Sequence, residues 1–179
     1  MTVAFRELDP EADHAALLDV LTTEHWGHRL KPAMTEEDLR EEIAHGHYVP
    51  GRSLAFLILL GDDVIGVVAA HDLDDPHSDP QLDFRLRERA RGQGIGLEAL
   101  RHITREVFER HPERLRIEGQ TRQDNVAMRK VFARGGYVKE AVFRQAWPGE
   151  GGPYDGIGYA ILRGDWESGT TTPIDWDEL

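Results

Sequence analysis

Two apolar runs fix the centre of this chain. Leu54-Ala55-Phe56-Leu57-Ile58-Leu59-Leu60 and Val64-Ile65-Gly66-Val67-Val68-Ala69-Ala70 are separated only by Gly61-Asp62-Asp63. The first is the longest apolar stretch in the chain and is far too short to span a bilayer, so the pair reads as a β-hairpin with apolar side chains on both faces. Such a hairpin needs cover on both sides, and the flanking sequence offers helices. Asp9-Pro10 opens one carrying Ala15, Leu17, Leu18 and Leu21. Thr35-Glu36-Glu37-Asp38 is a capping box leading into Leu39 and Ile43. Leu97, Leu100, Ile103, Val107 and Phe108 mark a helix from Gly96 to about Arg110, stopped by Pro112. A fourth, carrying Val126, Met128, Val131 and Phe132, starts at Asp124 or Asn125 and ends at Gly135-Gly136. Further strands are expected at residues 3–8, 82–86, 115–121, 138–146 and 154–162.

The 179 residues suffice for one domain with a sizeable core, expected over residues 1–166, followed by an acidic tail at 167–179 that carries Trp176. The formal net charge is −12, which argues against a nucleic-acid partner and favours cationic ligands. No cysteine is present, so a disulfide framework, a thiolate nucleophile and a cysteine metal site are all excluded. The mixed charge of the first seven residues does not resemble a signal peptide; with no apolar run of spanning length, no membrane association and a cytoplasmic location are expected. His45-Gly46-His47 and Glu24-His25-Trp26-Gly27-His28 lack further ligands in a cluster, and no metal is expected.

The stretch Arg89-Ala90-Arg91-Gly92-Gln93-Gly94-Ile95-Gly96 sets alternate glycines after two arginines and before a helix. Glycines let main-chain N–H groups face a ligand, and a helix start adds unpaired donors, so an anion can sit there. An ordinary basic glycine turn is the other reading. A Walker loop fails because Leu97-Glu98 follows Gly96 instead of Lys-Ser/Thr. Gly94-Ile95-Gly96-Leu97-Glu98-Ala99 fits the dinucleotide pattern G-x-G-x-x-A, with Glu118 lying 24 residues after Gly94, but charged residues precede it where a buried strand is required. The third candidate is Arg91-x-x-Gly94-x-Gly96, the R-x-x-G-x-G/A pattern of acyl-CoA N-acyltransferases.

That loop, Glu98-Ala99-Leu100, then Asn125-Val126-Ala127-Met128-Arg129-Lys130-Val131-Phe132, Gly136-Tyr137, and Asp155 before Tyr159-Ala160-Ile161-Leu162 follow one another in an order that resembles the GNAT superfamily of acetyl-CoA-dependent N-acetyltransferases. Within it, the sequence is most similar to the Rim-type branch of ribosomal-protein N-acetyltransferases and their small-molecule relatives. The resemblance covers about residues 3–166. It implies an α/β fold of the α+β type: a mixed, mostly antiparallel central sheet flanked by helices, with its fourth and fifth strands splayed to admit the pantetheine arm of acetyl-CoA. It further implies that Leu86 ends the fourth strand and offers backbone groups to pantetheine. Arg91, Gly92, Gly94 and Gly96 would hold the pyrophosphate, with Gln93 and Ile95 adding main-chain donors. Asn125 would contact the pantetheine arm or a catalytic water, and the segment around Trp26, with Tyr48, would line the acceptor side.

Many members of the superfamily place a tyrosine seven residues after the asparagine to protonate the leaving thiolate; here that residue is Phe132, which cannot donate a proton. Water can serve instead, because a thiol of pKa about 8.5 leaves readily. The amine acceptor must lose a proton before attack, so a carboxylate base is expected, and Asp83 and Glu118, on the two strands that would flank the acetyl group, are the candidates. Ion pairing with Arg85 and Arg116 is the other role open to them. The expected function is acetyl transfer from acetyl-CoA to a primary amine of a small molecule or a protein N-terminus. The alternative is a non-catalytic acyl-CoA-binding or sensor protein of the same fold; the sequence leaves the oligomeric state open, a homodimer being one option.

Overall fold

A computed structural model describes residues 2–29, 33–149 and 151–176. Leu30, Glu150 and residues 177–179, which fall in segments read above, lie outside the described residues. In chain order the elements are β1 (Val3–Glu7), α1 (His14–Thr22), α2 (Glu36–Ala44), β2 (Leu54–Leu60), β3 (Asp63–His71), β4 (Gln81–Leu86), α3 (Ile95–Arg110), β5 (Arg116–Arg122), α4 (Val126–Arg134), β6 (Val138–Trp147), β7 (Tyr154–Leu162) and α5 (Arg163–Ser168). One sheet runs β1-β2-β3-β4-β5-β7-β6.

The apolar hairpin is β2 paired antiparallel with β3, and its two faces serve two cores. Leu54, Phe56 and Ile58 point with Val68 and Ala70 toward Ile95, Leu100, Ile103 and Val107 of α3. Ala55 and Leu57 point with Val67 and Ala69 toward Leu17, Val20 and Leu21 of α1 and Leu39 of α2. The strand period of two thus feeds alternate side chains to opposite helical layers. Thr35 caps α2 as its sequence announces: its hydroxyl accepts from the Asp38 N–H at 3.2 Å while the Asp38 carboxylate accepts from the Thr35 N–H at 2.8 Å.

Two boundaries differ from the sequence reading by more than one residue. Asp9-Pro10 opens a turn, not the helix itself: the Asp9 carboxylate accepts from the N–H groups of Glu11 and Ala12, and α1 begins only at His14. At the other end, residue 166 falls inside α5, where Trp166 packs on Phe108 with ring centroids 5.3 Å apart. Buried Asp165 accepts from the Thr172 N–H and hydroxyl, tying residues beyond the helix back to it.

All strand pairs among the described residues are antiparallel except β4 with β5, which are parallel and share a single register position, Gln81 opposite Glu118. Beyond it the two strands part. Gly66 on β3 lets the other neighbour of β4 approach closely: a Cβ there would lie 2.3 Å from the Arg85 carbonyl oxygen. Lacking one, β3 holds the C-terminal half of β4 close, on the side away from β5. No helix of the described residues is long and apolar enough to cross a membrane.

Candidate functional site

The loop between β4 and α3 opens onto this gap. Gly92 and Gly94 adopt φ of 75° and 86°, and a Cβ at either would meet nothing within 4 Å. Their left-handed conformations turn the chain so that the N–H groups of residues 92–96 find no acceptor among the described residues. With the positive end of the 16-residue α3 behind them, these amides form a cradle suited to an anion such as a pyrophosphate. Arg91, about half exposed, donates from Nε to the Leu86 carbonyl at 2.8 Å, and its guanidinium lies 5.5 Å from the centre of the Trp26 ring.

Strand register decides which backbone groups face the gap. The Arg87 N–H bonds to the Ile65 carbonyl of β3, so alternation turns the polar groups of Phe84 and Leu86 toward β5, where pairing has ended. Because the Leu86 carbonyl already accepts from Arg91, its N–H is the group left to meet an extended ligand chain.

On the α2 side of the gap lies a cavity of about 370 Å3, lined by Arg29, Glu42, Gln81, Arg85, Gln120 and Trp147 among others. A larger hollow of about 720 Å3, lined by residues such as His14, Arg40 and Val49, reaches none of β4, β5 or the glycine loop. The smaller cavity is therefore the one that adjoins the chemistry.

Asp83 sits in the wall of that region, nearly buried. Arg29 Nη1 lies 2.5 Å from its carboxylate, Arg85 Nη1 also donates to it, and the Tyr48 hydroxyl donates at 3.3 Å. Burial alone would raise its pKa, but the two guanidiniums outweigh that and hold the carboxyl far below the usual range. Glu118 is similarly engaged: burial opposes ionisation, while hydrogen bonds from Arg116 and from Gln81 Nε2 at 2.6 Å keep its carboxyl below the ordinary value. Both candidate bases therefore lie beside the gap in ion-paired form.

Asn125 is the N-cap of α4. Its side-chain oxygen accepts from the Met128 N–H at 3.2 Å, and its Nδ2 donates to Thr121 Oγ1 at 3.0 Å, joining the helix start to the end of β5. Trp26 and Tyr48 are buried behind the cavity and are not among its lining residues. Trp26 donates from Nε1 to the Leu21 carbonyl, and Tyr48 adopts φ of 63° to direct its hydroxyl at Asp83. Phe132 is core, its ring stacked on Tyr159 at 4.9 Å. Among the described residues, no group of His, Asp and Glu side chains converges as metal ligands would.

The sequence reading missed Glu42 and Arg29, and took Arg85 only as an ion-pair partner of Asp83, a pairing that the structure contains. Glu42 looks like one more solvated acid on an acidic helix. In the fold it lines the cavity, its carboxylate 3.9 Å from His47 Nδ1, and burial together with the charge of Asp83 raises its pKa. Arg85 carried a usable signal, an arginine in a strand beside a fully apolar hairpin.

The family description "Acetyltransferase (GNAT) domain" matches residues 2–138. The ribosomal-protein-serine acetyltransferase of Escherichia coli (strain K12) is 27% identical over 114 residues, which span 63% of this chain and 63% of that protein. The structure of the ribosomal L7/L12 alpha-N-protein acetyltransferase RimL in complex with coenzyme A superposes with a TM-score of 0.75 at 22% identity, covering 90% of this chain and 94% of that one. The spermidine N-acetyltransferase from Vibrio cholerae in complex with CoA and spermine gives 0.77 at 14% identity, covering 92% and 98%. The left-handed glycine turn, the cradle of amides and the parted β4–β5 pair thus stand in a chain that belongs to the GNAT acetyltransferase family.

Proposed function

We propose that this protein transfers an acetyl group from acetyl-CoA to a primary amine of a small molecule or a protein N-terminus, in a ternary complex. The observation that carries this reading is the run of N–H groups at residues 92–96 that have no acceptor among the described residues, opening α3 beside the gap between β4 and β5. The amides of residues 92–96, with Arg91 at their edge, hold the pyrophosphate. The backbone of Phe84 and Leu86 receives the pantetheine arm, and Asn125, by fixing the start of α4 to β5, positions the far wall. Bound there, acetyl-CoA supplies the thioester carbonyl that the amine attacks.

The amine has to arrive deprotonated or lose its proton in the site. Asp83 and Glu118, both held ionised by arginines, are weak bases, and in this reading they are positioning residues: Asp83 fixes Arg29 and Arg85, and Glu118 ties Gln81 to Arg116. Glu42, a cavity-lining carboxyl whose pKa is raised, is better matched to taking the proton. Of the similar proteins, one is named for acetylating ribosomal-protein serine and one is a spermidine N-acetyltransferase. A homodimer in the cytoplasm belongs to the same proposal, and sedimentation velocity tests the assembly.

Phe132, buried without a hydroxyl where many superfamily members carry tyrosine, is the observation that favours the second reading, an acyl-CoA binder without turnover. One experiment separates the two: release of the CoA thiol across a panel of amines, set beside calorimetric binding of acetyl-CoA. Binding with amine-dependent thiol release supports the enzyme. Binding without release from any amine supports the sensor, and absence of binding overturns both.

A further inference from the structure

Arg85 is 2% exposed, yet among the described residues only one of its three guanidinium nitrogens finds an acceptor. Nη1 donates to Asp83 and, at 3.2 Å, to the Phe84 carbonyl. Nε is buried with no acceptor, and Nη2 makes no hydrogen bond among the described residues. The free Nε–H and Nη2–H lie on one edge of the planar group, the edge that meets both oxygens of a carboxylate in parallel. A buried donor edge without a partner costs free energy, and this one borders the cavity already described.

The local charge has the same sense. Arg29 and Arg85 bring two positive charges against the single negative charge of Asp83, so the β4 side of the cavity carries an excess positive charge. Glu42 on α2 supplies the opposite sign to the same cavity. A ligand that satisfies both walls is bipolar, with an ammonium or amine toward Glu42 and an anion toward Arg85. The pyrophosphate of CoA has its own donors at residues 92–96, so the Arg85 edge is left for the acceptor.

We propose that the acceptor carries a carboxylate beside its amine, as an α-amino acid does, with the carboxylate received by the Nε–Nη2 edge of Arg85 and the amine directed toward Glu42. This rests on the acetyltransferase reading and names the substrate class of that site. The overall charge of −12 still favours a cationic amine at long range; the buried arginine adds a requirement that polyamines do not meet.

The test is a kinetic comparison of the α-amino acids with their own carboxamides, with spermidine alongside, following CoA thiol release in the wild type and in Arg85→Lys. That variant keeps the charge opposite Asp83 and loses the two-pronged edge. The expected result is a kcat/KM for the preferred amino acid at least ~10-fold above that of its carboxamide, with the ratio falling toward one in Arg85→Lys, mainly through KM. Carboxamides or spermidine used as well as the acids by the wild type would overturn the proposal, as would a ratio that survives in folded Arg85→Lys. If Arg85→Lys does not fold, the wild-type ratio decides alone. No thiol release from any amine, with acetyl-CoA bound, would overturn the enzyme reading and this assignment with it.

Discussion

Replacing Gly94 by valine separates folding from cofactor binding at the one position where the two demands differ. Gly94 has φ of 86°, and a Cβ there would meet nothing within 4 Å, so no neighbour resists the new side chain. The folding cost is that of holding an L-residue in the left-handed region, about 1–2 kcal/mol. For a chain of this size, that lowers Tm by about 2–8 °C. The space that makes the substitution tolerable for folding is the space the phosphates need, because the Cβ projects from the same turn whose amides are unpaired. Losing a single charge-assisted hydrogen bond there costs about 1.5–3 kcal/mol, so the Kd for CoA should rise by at least ~10-fold. Calorimetric titration at low and moderate salt reads the affinity, after circular dichroism has shown that the variant is folded. Arg91→Ala is the companion: it removes the charge that holds the Leu86 carbonyl and leaves the glycines alone, so its weaker binding should depend on salt. A folded Gly94→Val protein with unaltered CoA affinity would refute the phosphate-cradle assignment.

Asp83→Asn leaves Arg29 and Arg85 facing each other without a carboxylate and should destabilise the fold by about 3–5 kcal/mol in urea titrations; a loss under 1 kcal/mol would mean that the network is not what holds this corner. Because the folded pKa of Asp83 is depressed, its contribution is present above about pH 4, the unfolded value, and declines as pH falls below that. His71 acts higher on the scale: burial lowers its pKa to about 4, with His47, Arg29 and Arg85 reinforcing and Asp83 opposing. The unfolded chain therefore binds the extra proton first, and stability, complete above about pH 6.5, should fall by about 3 kcal/mol by pH 4. His71→Asn, which can keep a donor toward Ser53 Oγ, should flatten that slope in urea melts between the two pH values, and an unchanged slope would assign it elsewhere. Glu42→Gln should lower kcat/KM by ~100-fold or more, with acetyl-CoA affinity nearly unchanged, and should abolish an ionisation lying above the ordinary glutamate range in the pH profile of the wild type. Near wild-type turnover in Glu42→Gln would return the search for a base to Asp83 and Glu118.

Local pattern was enough for most of this protein. The two-sided apolarity of residues 54–60 and 64–70 dictates a central hairpin covered by helices. Thr35 and Asp38 announce the start of α2, and the glycines after Arg91 mark a loop-to-helix junction with donors to spare. Each of these depends on neighbours within a few residues, which is what a sequence displays. Other features were decided only when distant segments met. Whether Asp83 is a base or an ion-pair anchor depends on Arg29, 54 positions earlier in the chain, arriving at its carboxylate. Whether Glu42 is a solvated helix acid or a cavity group depends on α2 packing against α1 and the β2–β3 face, which sets Glu42 at the cavity edge. Trp26 and Tyr48 belong to a buried layer behind the cavity, because α1, α2 and the sheet close over them. Spacing along a chain specifies backbone conformation, but ionisation and access follow from burial and from opposing charges, and those exist only after the sheet has brought its strands together.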